Sequence, residues 1–112
     1  MQRINIGEFE ELVLLVVAIL NDSAYGISVM EEIERQTDRS INISAVHSAL
    51  DRLEGKGFLD SSVGGATKAR GGRRKRYFKI TVAGQKSLSY IKEQRNMLHD
   101  QIPKLSLEYV AI

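Results

Sequence analysis

The segment Gly71-Gly72-Arg73-Arg74-Lys75-Arg76 sets four consecutive cations behind two glycines. Like charges side by side repel, so an isolated fold gains nothing from such a run. A chain of phosphates would neutralise it and release counterions in doing so, and the glycines would let the backbone follow a groove or a sugar-phosphate rail. The run is the peak of a wider asymmetry. Residues 1–60 carry 5 Lys+Arg against 11 Asp+Glu, whereas residues 61–112 carry 11 against 3. Between Ser61 and Lys92 there are nine basic residues and no acid, and seven of the nine lie within Lys68–Lys79. A basic stretch beside an acidic half points to an anionic partner, nucleic acid before any other. Two plainer readings of the run are a solvated loop and a basic localisation signal.

A second candidate set lies upstream. Ser44, Ala45, His47, Ser48, Asp51 and Arg52 are small, polar or charged, while Val46, Leu50 and Leu53 recur at helical spacing among them. A helix that reads the major groove of double-stranded DNA needs this division. Its first turns must enter a groove about 12 Å wide, and hydroxyls and imidazoles can bond to base edges or phosphates. An ordinary amphipathic surface helix has the same pattern.

Catalysis finds little support. Cysteine is absent, which excludes disulfides, thiolate-ligated zinc and a thiol nucleophile. His47 and His99 have no acid or hydroxyl at a spacing that would make either a metal ligand or a general base. Gly64-Gly65-Ala66-Thr67-Lys68 lacks the Gly-Lys-Ser/Thr ending of a phosphate loop. The chain is read as a non-enzyme with no metal and no cofactor.

These side chains need elements to hold them. At 112 residues the chain fits one domain with one modest core, and 43% apolar against 27% charged residues is ordinary for a globular protein. The longest apolar run, Leu12–Leu20, has nine residues, far short of the roughly 20 that span a membrane. Glu8, Glu10 and Glu11 ahead of that run do not suit a secretory signal, so the expectation is a soluble intracellular protein.

Asn5, with Glu8 three residues on, predicts the cap of a first helix that runs to about Leu20 and is apolar on every face after Leu12. A second helix is expected from about Ser23–Tyr25 to Thr37, with Ile27, Met30 and Ile33 inward. A third is expected from Ile43 to about Lys56, capped by Asn42 and ended by Gly57. Leu59–Val63 and Arg76–Ile80 read as two strands of a hairpin whose long tip is basic. Thr81 caps a last helix from Val82 to about Gln101, which Pro103 terminates.

The expected fold is α+β, mainly α: a winged helix-turn-helix over residues 1–81, with its wing at about 58–80, a C-terminal dimerisation helix over 82–102, and a tail over 103–112. The last helix carries Leu88, Ile91, Leu98 and Ile102 at spacings of three, seven and four, interrupted at Arg95. This is a 3.5-residue repeat. Pairing with a second copy is the simplest way to cover it, with Leu12 and Val16 of the first helix joining the interface. The alternative is that the two helices pack on each other within one monomer.

Gly7-Glu8-Phe9-Glu10-Glu11-Leu12-Val13-Leu14-Leu15, Ala24-Tyr25-Gly26-Ile27 with Glu31-Glu32-Ile33, Leu50-Asp51-Arg52-Leu53-Glu54-Gly55-Lys56-Gly57, and Arg70–Phe78 followed by Thr81 and Gly84 occur in one order. This order resembles that of PadR-type transcriptional regulators. The resemblance spans about residues 7–100. It implies a cytoplasmic, bacterial, nucleoid-associated homodimer that controls transcription, usually by repression, on a pseudo-palindromic operator. By position it implies that Tyr25, Asn42, Ser44 and His47 lie at the DNA face, and Arg73 and Arg74 on the wing. Lys68, Arg70 and Lys75 extend the basic wing. His47 stands where many relatives have tyrosine, so its contact would differ. The short last helix resembles the small subgroup with one dimerisation helix. A small-molecule effector is possible and unidentified. Two rival functions share the fold. One is a winged-helix module whose basic wing meets an acidic protein partner. The other is a non-specific packaging protein, which an acidic half fits poorly.

Overall fold

The computed structural model describes residues 6–64 and 75–104. The elements run α1 (Glu8–Leu20), a 3-10 turn (Asn21–Ser23), α2 (Gly26–Thr37), α3 (Ile43–Gly55), β1 (Leu59–Val63), β2 (Arg76–Ile80) and α4 (Val82–Asp100). The core is built from one stripe of each of the first three helices and closed from below by the hairpin. Val13, Leu14, Val16 and Val17 of α1 meet Val29 and Ile33 of α2, Val46, Ala49, Leu50 and Leu53 of α3, and Leu59 and Phe78 of the hairpin.

Local signals explain most of the boundaries. The Asn42 side chain accepts from the Ser44 N–H at 2.7 Å and opens α3. Gly57 follows α3 with φ of +82°, a conformation L side chains rarely adopt. Thr81 Oγ1 accepts from the Gly84 N–H at 3.0 Å and opens α4. The antiparallel strands pair Leu59 with Ile80 and Val63 with Arg76. β2 has a partner on its other side as well: the Phe78 N–H donates to the Ala24 carbonyl at 2.8 Å, which fastens the hairpin to the turn between α1 and α2.

Three expectations about the first two helices are corrected. The N-cap of α1 is Gly7, whose carbonyl accepts from the Glu11 N–H at 2.9 Å, and not Asn5, which lies outside the described residues. Three acids in the first turn replace a side-chain cap, since negative charge there offsets the helix dipole. In α2 the inward stripe is Gly26, Val29 and Ile33, and Ile27 is 50% exposed. Glycine has no side chain to announce the first position of that stripe, so the adjacent apolar residues Val29 and Met30 left two phases open. On α1, Val16 is buried inside the protomer and leaves the set of candidate interface residues, while Leu15 and Ile19 are 41% and 59% exposed. The all-apolar half of this helix therefore does keep a bare stripe.

Candidate nucleic-acid interface

α3 divides as its sequence requires. Val46, Ala49, Leu50 and Leu53 are buried, and Ser44, Ala45, His47, Ser48 and Asp51 are exposed. Only small or polar groups project from its first two turns, so the backbone can come close to whatever it faces. The His47 ring leans across the start of α2. A Cβ built on Gly26 would stand 2.5 Å from His47 Cε1, so the imidazole occupies the room the glycine leaves. That start is fixed by Ser28, whose hydroxyl accepts from the Tyr25 N–H at 2.9 Å and donates to the Ser23 carbonyl at 2.7 Å.

The wing begins beside the same residues. Lys75 Nζ lies 4.0 Å from the centroid of the Tyr25 ring, a cation–π contact. The Tyr77 ring meets Tyr25 edge-on, with centroids 5.6 Å apart and planes at 78°. Tyr25, Ile27, His47, Asp51, Lys75 and Arg76 line a cleft of about 460 Å³ between the helices and the wing base. Arg76 also donates to Ser61 Oγ across the hairpin at 2.7 Å.

Arg52 takes a different course from its neighbours on α3. Its Nε donates to Glu10 at 2.7 Å, and Lys56 Nζ donates to the other oxygen of the same carboxylate, also at 2.7 Å. Glu10, on α1, is buried against α3. The hydrogen bond from Lys56 is the main cause of its lowered pKa; burial opposes it and the Arg52 bond adds to it. The α1–α3 pairing therefore already occupies Arg52.

The sequence model of the Transcriptional regulator PadR-like family matches residues 14–90. The chain belongs to that family. Its members are non-enzymatic DNA-binding transcription factors. Solved structures agree in fold. A PadR family transcription regulator from Clostridium difficile R20291 superposes with a TM-score of 0.70 at 19% identity, over 84% of this chain and 93% of its own. A transcriptional regulator from Clostridium thermocellum gives 0.66 at 28% identity, over 81% and 85%. A protein of Streptococcus mutans UA159 gives 0.62 at 27%, over 80% and 77%. No curated protein matches the chain.

Within this PadR-like fold, Tyr25, His47 and Lys75 line one cleft between the helices and the wing base, and Asn42, Ser44, Ala45 and Ser48 lie exposed at the start of α3. Arg52 lies a turn further along α3, tied to Glu10. Lys68, Arg70, Arg73 and Arg74 lie outside the described residues. Sequence reasoning did not single out Gly26 or Tyr77 for this face, and it took Arg76 only as the last cation of the basic run. The Ala24-Tyr25-Gly26 step was the available signal for Gly26; nothing local marks Tyr77, because its role depends on the fold bringing it to Tyr25.

The groove between α1 and α4 lies elsewhere. Glu11, Leu15, Leu88, Lys92, Arg95 and His99 line about 450 Å³ there. Leu12 and Leu88 pack against the core, Ile91 is half-buried, and Arg95 approaches Glu11 at 3.7 Å. Leu98 and Ile102 are each 58% exposed, and Met97, absent from the expected seam, is bare as well. Among the described residues there is no cluster of metal-ligating side chains, and no single helix is long and apolar enough to cross a membrane.

Proposed function

We propose that the chain is a transcriptional repressor that binds a pseudo-palindromic operator in double-stranded DNA as a homodimer, in the bacterial cytoplasm at the nucleoid. The observation that carries this reading is the outward face of α3. It is small and polar through two turns, bare of bulky apolar groups, and flanked by the wing cations Lys75 and Arg76. In the proposed division of labour, residues 1–81 hold the DNA-binding unit, 82–102 the dimerisation helix and 103–112 a tail. Ser44, Ala45, His47 and Ser48 face the major groove with the Asn42 turn beside them. The wing cations, with Lys68, Arg70, Arg73 and Arg74 from the sequence, meet phosphates. Two α3 helices would enter successive major grooves about 34–36 Å apart. A ligand effector stays outside the proposal.

The test is fluorescence anisotropy at about 150 mM salt, where non-specific attraction is partly screened. It uses a duplex from upstream of the protein's own gene, tiled segments of its flanking genes, and a shuffled control. Tighter binding to one natural duplex by about a thousandfold, with steep salt dependence, is expected of a specific regulator. Equal weak binding to all of them would overturn the proposal.

A further inference from the structure

We infer that Tyr25 is a positioning residue that fixes the wing base against the start of α3, and that its ring, rather than a contact of its hydroxyl with DNA, carries this role. The inference rests on the DNA-binding reading above and departs from the placement of Tyr25 at the DNA face.

Tyr25 is the N-cap of α2, with extended backbone (φ −141°, ψ 170°), and Ser28 holds its N–H. The backbone is therefore set before the side chain does anything. The ring is then engaged twice from the wing: by the Lys75 ammonium, 4.0 Å from its centroid, and by Tyr77 in a T-shaped contact with centroids 5.6 Å apart. Lys75 has no other side-chain partner among the described residues. Tyr77 in turn lies across the far arm of the hairpin. A Cβ on Gly64 would stand 2.2 Å from Tyr77 Cε2, and the Gly64 N–H donates to the Lys75 carbonyl at 2.6 Å. The β2 arm of the wing thus reaches the Tyr25 ring directly, and the β1 arm reaches it only through Tyr77. The residue after Tyr25 is Gly26, which seats the His47 imidazole of α3. Two consecutive residues therefore hold the wing on one side and the reading helix on the other.

A ring in this role needs its aromatic surface but no hydroxyl. The discriminating pair is Tyr25→Phe and Tyr25→Leu, with Tyr77→Leu as a second route to the same loosening. Tyr25→Phe is expected to bind the upstream duplex within about threefold of wild type. Tyr25→Leu and Tyr77→Leu are expected to lose about tenfold or more. Their plot of log affinity against log salt should flatten by about one for each phosphate the wing no longer holds. Their preference for the natural duplex over the shuffled one should persist, because α3 is untouched. If Tyr25→Phe loses as much as Tyr25→Leu at unchanged salt slope, the hydroxyl contacts DNA and the inference fails. A measurement without DNA separates this from failure of the DNA-binding reading. The Lys75 side-chain protons should be shifted upfield by the ring current in free wild type and Tyr25→Phe, and not in Tyr25→Leu. Ordinary shifts in the wild type would overturn the clamp whatever the protein binds.

Discussion

Glu10 shows how one residue can be decided by partners that no local pattern reveals. Forty-two and forty-six positions separate it from Arg52 and Lys56, and the carboxylate joins them only because α1 and α3 pack together. In the sequence it belongs to an acidic first turn, and Arg52 belongs to the small, polar or charged set on the outward side of α3. The structure pairs the two, and the same turn sends Glu8 to Arg39 and Glu11 to Arg95. Glu10→Gln should lower stability by about 1–2 kcal/mol at neutral pH, a figure held down by the exposure of Arg52. The cost should depend on pH with a definite sign. The folded pKa lies below the ordinary 4.5, so the contribution is full above that value and is lost as pH falls through the folded pKa. Urea titrations of both proteins across that range should therefore converge in acid. A gap that persists at low pH would mean that the charge is not what matters.

At the scale of elements, the sequence was most legible where a cap and a periodic pattern agree. Asn42 with Val46, Leu50 and Leu53 marks α3, Gly57 marks its end, and Thr81 marks the start of α4; the two strands follow from alternation between these signals. The start of α2 was read to within a residue, but its phase was not legible, because a glycine holds the position where an apolar side chain would have been informative. The α3 half of the candidate face could be read for the same reason that α3 could. The Tyr25–Tyr77 junction could not, because 52 residues separate its members. Gly84 shows what a glycine inside a helix can mean. Gly→Ala in a helix interior ordinarily stabilises by roughly 0.5–1 kcal/mol. Here the added Cβ would lie 2.4 Å from the Phe58 carbonyl oxygen and 2.7 Å from Ile80 Cγ1. Gly84→Ala should instead destabilise by about 1–3 kcal/mol by prising α4 from the hairpin. A thermal midpoint at or above that of wild type would refute this close approach.

Over the whole molecule, the contrast is between a well-filled core and a helix that outruns it. α4 has buried positions only at Gly84 and Ser87, and every residue from Lys92 to Lys104 is exposed. An exposed helix of this kind gains little stability without tertiary packing. On the proposed dimer, Leu98→Glu together with Ile102→Glu should shift sedimentation from dimer to monomer. Operator affinity should fall by about a hundredfold as the second half-site contact becomes a separate event. A double variant that still sediments as a dimer would move the interface elsewhere. The bare half of α4 also bears on dose. If it is completed only by another chain, then below the dimer dissociation constant the active species grows with the square of the amount synthesised. Halving expression would then cut occupancy of the control site about fourfold when that site is far from saturated. Modest fluctuations in copy number would pass to the target genes as a threshold rather than in proportion.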